Sequence, residues 1–189
     1  MRCEVFLEAI IIGLLIGLLR KGRISNLNNL KFNGINILLI LIVADLLLRQ
    51  YIVRSNSHFS VILFNVYPKI NLVVYFITIL VMGLNNHLKN MRVIQSGYVL
   101  NFLPMISNGG KMPVSADAMA KIGKVLEVDV LRNNLYLGHS LMTESTRFKV
   151  LCDTIAIPFP TPKVISVGDI VISIGIMMFL VHQMKGEKI

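Results

Sequence analysis

The sequence predicts an all-α fold: a polytopic α-helical membrane bundle of about five transmembrane helices plus a loop carrying an amphipathic helix. Three observations predict it. Of the 189 residues, 54% are hydrophobic and 15% charged, with a mean hydropathy of +0.70, whereas soluble domains carry roughly 25% charged residues. The apolar residues come in long blocks separated by basic clusters, the distribution expected when lipid is the solvent. The net charge is +9, yet Arg20, Lys21, Arg23, Lys89, Arg92, Lys185 and Lys188 flank the apolar blocks rather than gathering with aromatics on a soluble face. This is the placement of topogenic charge, and it argues for a lipid bilayer and against nucleic acid as the partner.

The first span covers residues 4–19, with Glu8 inside it. The "RKGR" that follows is a stop-transfer signature, not a cleavage site, so the helix stays in the protein. Gly13 and Gly17 form a G-x-x-x-G that would let a second helix approach closely, unless they simply face lipid. The second span, 35–53, holds Asp45 and Arg49 at i, i+4, which on a helix share a face and neutralise each other. An ionisable residue within a membrane is also a functional candidate, but an intrahelical ion pair near the end of the span, with Arg49 snorkelling outward, is preferred.

Phe59 to Tyr67 is apolar but short, and Pro68 is expected to end it, leaving an interfacial segment before a third span at 70–86. The fourth span, 93–107, is the weakest. It contains Gln95, Ser96, Asn101 and Pro104 and fits a full span, a re-entrant segment or a buried helix. Asn101 needs an interhelical partner in each case. The fifth span, 164–183, places Asp169 near its start, either at headgroup depth or paired inside the bundle.

Between the last two spans, residues 108–163 form an extramembrane or re-entrant loop. "NGGKMPVSADAM" opens it. Asn108, Gly109 and Gly110 suit a tight turn with positive φ, and Pro113 stiffens the entry to a helix. Ser115 is a good N-cap, Asp117 complements the helix dipole, and Val114 with Met119 occupy the N′ and N4 positions of a hydrophobic staple. The helix is expected over 116–126, amphipathic through Met119, Ile122, Gly123 and Leu126, lying along the membrane or capping the bundle. The turn could instead cradle an anion with Lys111, although the G-x-x-x-x-G-K-[ST] pattern is missing and a structural turn is preferred. Prolines 158, 160 and 162 predict an extended, polyproline-like strap.

Lys and Arg counts favour an N-terminus outside and a cytoplasmic C-terminus. Arg20, Lys21, Arg23, Lys31, Lys89, Arg92, Lys185 and Lys188 fall on one side, against Arg2, Arg49, Arg54 and Lys69 on the other, which places the 108–163 loop outside the cell.

Four histidines, His58, His87, His139 and His182, are scattered over different segments. The two cysteines, Cys3 and Cys152, show no metal-ligand spacing and pair only if both lie on an oxidising side. No catalytic constellation, metal site or cofactor motif is legible. "NGGKMPVS", then Asp153, "IPFPTP" and "SVGD" before a terminal span, resemble a family of small bacterial integral membrane proteins known as a domain of unknown function. The resemblance covers most of the chain. It implies a bacterial membrane protein and marks Asn108, Gly109, Gly110, Met112, Pro113, Ser115, Asp153, Pro158, Pro160, Gly168 and Asp169 as pattern-matching positions.

Three functions are consistent with these features. The first is a noncatalytic membrane protein whose loop and helix present a small surface to a lipid, a peptide or a protein partner, including a membrane-protein partner or a second copy in a homo-oligomer. The second is a small-molecule transport component with Asp45, Arg49, Asn101 and Asp169 as polar groups in the bundle. The third is a membrane hydrolase or transferase using Asp153 and Asp169 as acid and base.

Overall fold

Five long helices carry most of the chain, and side-chain caps start two of them, α3 and α7. The structure, a computed structural model, describes residues 2–186, with side chains at 5–28 and 30–186. Helix α1 spans Arg2–Leu19, and a 3-10 turn at Ile24–Asn29 leads to α2, Ile35–Arg54. Helix α3 runs from His58 to Leu84 and α4 from Met91 to Ser107. By length and composition α2, α3 and the final helix α7, Val167–Lys185, can cross a membrane, while the apolar part of α1, Val5–Leu19, is shorter.

Pro68 does not end a segment. Helix α3 passes through it without interruption, so the break expected at Pro68 and the helix start at residue 70 are both corrected. Ser57 explains the earlier start, its hydroxyl accepting from the Ser60 N–H at 3.2 Å. One missing backbone bond at a proline is tolerated in a long helix packed on neighbours. At the other boundary, α7 begins at Val167 after a strand at Lys163–Ile165, later than the expected start at Val164.

Side-chain neighbours fix the helix directions. Gly13 of α1 lies against Met177 and Leu180 of α7, and Gly17 and Gly22 against Met184. The two helices therefore run parallel, and the G-x-x-x-G faces a helix, not lipid. Helix α4 runs antiparallel to α7, with Gly97 against Gly168 and Ile172, and Ile94 against Gly175. Helices α2 and α3 form an antiparallel hairpin, closed at one end by Asn85 with Asn33 and at the other by Tyr51 with Phe59. Gln95 of α4 donates to the Ile79 carbonyl of α3.

All five helices thus pass between the same two ends. One end gathers Arg20, Lys21, Arg23, Lys31, Lys89, Arg92 and Lys185, with no Asp or Glu among its described residues. Lys188 and the side chains of Arg2 and Cys3 lie outside the described residues.

The opposite end carries a small lobe. Strand β1, Met112–Val114, pairs in parallel with β2, His139–Leu141, and bridges to Asp153 on its other edge. Between these strands lie α5, Ala116–Lys121, and α6, Val125–Arg132. A 3-10 turn at Lys149–Leu151 precedes an antiparallel hairpin of β3, Ile155–Ile157, and β4, Lys163–Ile165. Val114, Ala118, Met119, Val128, Leu131 and Val164 form the lobe's own core.

Two expectations for the lobe change. The helix expected over 116–126 is two helices, because Gly123 adopts φ +75° and the Lys124 N–H turns back to the Met119 carbonyl, the αL ending that glycine favours. Met119 and Ile122 of the expected apolar face pack in the lobe core, while Leu126 is exposed. The extended proline strap is corrected: Pro158, Pro160 and Pro162 lie in the bent connection that reverses the chain between β3 and β4, where the missing N–H groups cost no strand pairing.

Candidate functional site

The loop motif is built into the lobe's backbone. Ser115 caps α5, accepting from the Ala118 N–H at 3.3 Å, and Val114 and Met119 share the core as the staple requires. Asp153 joins this motif through its backbone, its carbonyl accepting from the Ser115 N–H and its N–H donating to the Pro113 carbonyl. Met112 donates to the Gly138 carbonyl, so β1 is bonded on both edges.

The Asn108-Gly109-Gly110 turn is engaged in the same way. Asn108 donates through Nδ2 to the Pro104 and Arg147 carbonyls and accepts from the Arg147 N–H. Gly110 has φ +88°, and a Cβ there would stand 2.5 Å from the Pro68 carbonyl oxygen. Only glycine admits both that backbone and that contact between lobe and α3. Lys111 donates to the Tyr136 carbonyl at 2.9 Å and sits 5.4 Å from the Phe64 ring centroid. Burial pushes its ammonium below the ordinary lysine value. The groups that an anion would use thus hold α4, α3 and the lobe together.

Where α4 meets α7, three predicted features converge. Asn101 donates from Nδ2 to Asp169 Oδ1 at 2.8 Å and accepts from the Ser166 hydroxyl at 2.6 Å. Ser166 and Asp169 form a reciprocal capping box at the start of α7. All three residues are buried. A Cβ on Gly168 would collide with the Asn101 side chain, so "SVGD" is a cap, a close approach and a buried hydrogen bond written in four residues. The Asp169 carboxylate is bonded to Asn101 and Ser166, whereas that of Asp153 faces His139, with Oδ2 3.6 Å from Nε2.

Asp45 and Arg49 pair at 2.7 Å, as their spacing predicts. Tyr67, which sequence spacing does not connect to them, donates to Asp45 at 2.6 Å, and the guanidinium of Arg49 lies 5.0 Å from its ring centroid. A cavity of about 250 Å³ between α2, α3 and α4 is lined by Asp45, Thr78 and Tyr98.

A further polar pair escaped the sequence reading. Lys163 of β4 is 2% exposed, and its ammonium contacts Glu8 of α1 at the wall of an apolar hollow of about 230 Å³. The available signal was Glu8 itself, since a lone carboxylate in an apolar helix requires a cation at its own depth. Cys152 is a buried free thiol, raised to about 11 by burial and then by the neighbouring Asp153 charge.

These features define a mostly helical bundle, three of whose helices are long and apolar enough to cross a membrane, with a small strand-containing lobe, and the described residues contain no group of three or more His, Cys, Asp or Glu able to hold a metal ion. The chain belongs to DUF5317, a family of unknown function whose model matches residues 29–181. It is similar to an uncharacterised protein of Thermotoga maritima, 29% identical over 183 residues that cover 96% of this chain and 90% of the relative. No solved structure matches the chain.

Proposed function

We propose that the protein is a noncatalytic multi-pass protein of the bacterial cell membrane, with its N-terminus outside and its C-terminus in the cytoplasm, whose lobe presents a binding surface. The observation that carries this reading is the lobe's apolar exterior. Leu126, Val150 and Phe159 are 81%, 77% and 81% exposed, although the lobe has a core of its own. Large apolar side chains displayed outside a satisfied core mark an interaction surface. The seven Lys and Arg residues at the far end support the orientation.

Lys121→Cys and Lys185→Cys test the topology. A membrane-impermeant maleimide should label the first in intact cells and the second only after permeabilisation; labelling of both from one side overturns the reading. A photoreactive side chain at Leu126 or Phe159 should cross-link to lipid or protein far more than one at Asn134, and equal cross-linking removes the surface.

The cavity beside Asp45 supports a second reading, a small-molecule transport component, because transport requires a polar group lining a path through the bundle. In that case Thr78→Cys reacts with a water-soluble thiol reagent and Asp45→Asn changes the rate. An unreactive Thr78→Cys removes this reading.

A further inference from the structure

We infer that the β3–β4 hairpin lies at the headgroup–acyl boundary of the leaflet on the lobe's side, with its tip, residues 158–162, in contact with lipid and Phe159 turned into the acyl region. The inference rests on the reading of the lobe as a binding surface and deepens it, naming lipid as what covers this part of the exterior. Two contacts set the height. Gly110, at the entry to the lobe, lies against the Pro68 carbonyl, yet α3 starts at His58 and so extends ten residues, ~15 Å, past that contact. Val53, Phe59 and Val61, at this end of the α2–α3 hairpin, are 74%, 57% and 58% exposed. The lobe therefore stands beside an apolar stretch of the bundle and not wholly beyond it.

On the other flank, Lys163 of β4 contacts Glu8, well inside α1. Lys163 and Ile157 are the register pair next to the tip, and Ile157 faces the same hollow as Val5, Ala9 and Ile12. The end of the hairpin that carries the tip is thus level with the apolar part of α1. Leu7 and Ile11 in that part are 58% and 49% exposed, so the tip continues a surface that already faces lipid.

The composition of the tip fits this position. No charged residue lies between Asp153 and Lys163. A bilayer penalises unpaired backbone N–H groups. Pro158, Pro160 and Pro162 have none, which leaves only those of Phe159 and Thr161 in the tip. Phe159 is 81% exposed, and an aromatic ring held between residues without donors gains apolar burial at little backbone cost. The loop after β2, residues 143–146, is built in the opposite way, with Glu144 and Ser145 exposed. Strand β2 runs parallel to β1, whose start adjoins the Pro68 contact, so this polar loop leaves the lobe at its other end.

The sequence contains no Trp, so single substitutions report their surroundings by fluorescence. Phe159→Trp, Glu144→Trp and Leu47→Trp, the last at a 63% exposed position of α2, are made in the full chain. Each is reconstituted in phosphatidylcholine nanodiscs, which leave both faces open to solvent, and quenched with acyl-brominated phosphatidylcholine and with aqueous iodide. Phe159→Trp is expected to lose as large a fraction of its emission to bromolipid as Leu47→Trp and little to iodide, and Glu144→Trp the reverse. Adding Thr161→Asp to Phe159→Trp, at an exposed position, should transfer quenching from bromolipid to iodide. Unchanged quenching would show that protein contacts hold the tip and overturn the inference. Quenching of Phe159→Trp by iodide alone puts the tip in water and overturns lipid contact, while a bromolipid response of Leu47→Trp keeps the membrane reading. Shielding of Phe159→Trp from both quenchers assigns the tip to a protein partner, which keeps the binding surface and overturns the lipid assignment. A Leu47→Trp emission indifferent to bromolipid overturns the membrane reading itself.

Discussion

Two polar clusters flank α7 and are built in different ways. On the α4 side, Asn101, Ser166 and Asp169 exchange hydrogen bonds among themselves, and glycines at 97, 168 and 175 bring the backbones so close that nothing else enters. On the α1 side, buried Lys163 and 30% exposed Glu8 form an ion pair at the wall of an apolar hollow. The first cluster is fully buried and holds one carboxylate satisfied by neutral hydrogen-bond partners. The second is neutral as a pair and partly open to its surroundings.

The largest test of this contrast removes the close approach. Gly168→Leu forces a side chain onto Asn101, and overpacking against backbone should cost ~3 kcal/mol or more, seen as loss of folded protein in detergent thermal unfolding. Asn101→Leu should cost ~2 kcal/mol by the same measurement, because it leaves the Asp169 carboxylate and the Ser166 hydroxyl short of a buried partner. By contrast, Glu8→Leu/Lys163→Met should change stability by less than ~1 kcal/mol, since replacing both members of a buried ion pair by apolar groups is often neutral. A large loss there would place the second cluster with the first. Ser115→Ala in the lobe should cost about 1 kcal/mol, the typical value of a helix cap.

The smallest effect concerns Cys152, which belongs with the closed sites. Its thiol is raised from an ordinary value near 9 to about 11, so iodoacetamide should modify it slowly at pH 7.5 in the folded protein and quickly after unfolding. The folded state holds this proton more tightly than the unfolded chain. The associated stability is therefore present below pH 9 and lost as the pH rises toward 11, and a titration of the unfolding midpoint should show the decline in that window. Rapid alkylation at neutral pH would show that the lobe core is open.

Reading the candidate site from sequence succeeded where the signal is local. The Ser115 cap, the Val114 and Met119 staple and the Asp45 with Arg49 pair all depend on spacings of three to five residues, which any helix realises. Asp169 and Asn101 were legible as polar residues in need of partners, but not as partners of each other. His139, Tyr67 and the Glu8 with Lys163 contact carried no spacing signal at all.

By itself, the sequence determined most of the helical segments, the basic clusters between apolar blocks and the helix caps, because hydrophobic periodicity and backbone chemistry act within a few residues of their cause. Tertiary structure decided the rest. It carried α3 through Pro68, made α1 and α7 parallel, folded 108–166 into a lobe with its own core, and brought Asn101 to an aspartate 68 residues away. Such pairings are chosen by which helix faces pack closely and which buried polar atoms must be satisfied, and neither quantity exists until the chain has docked.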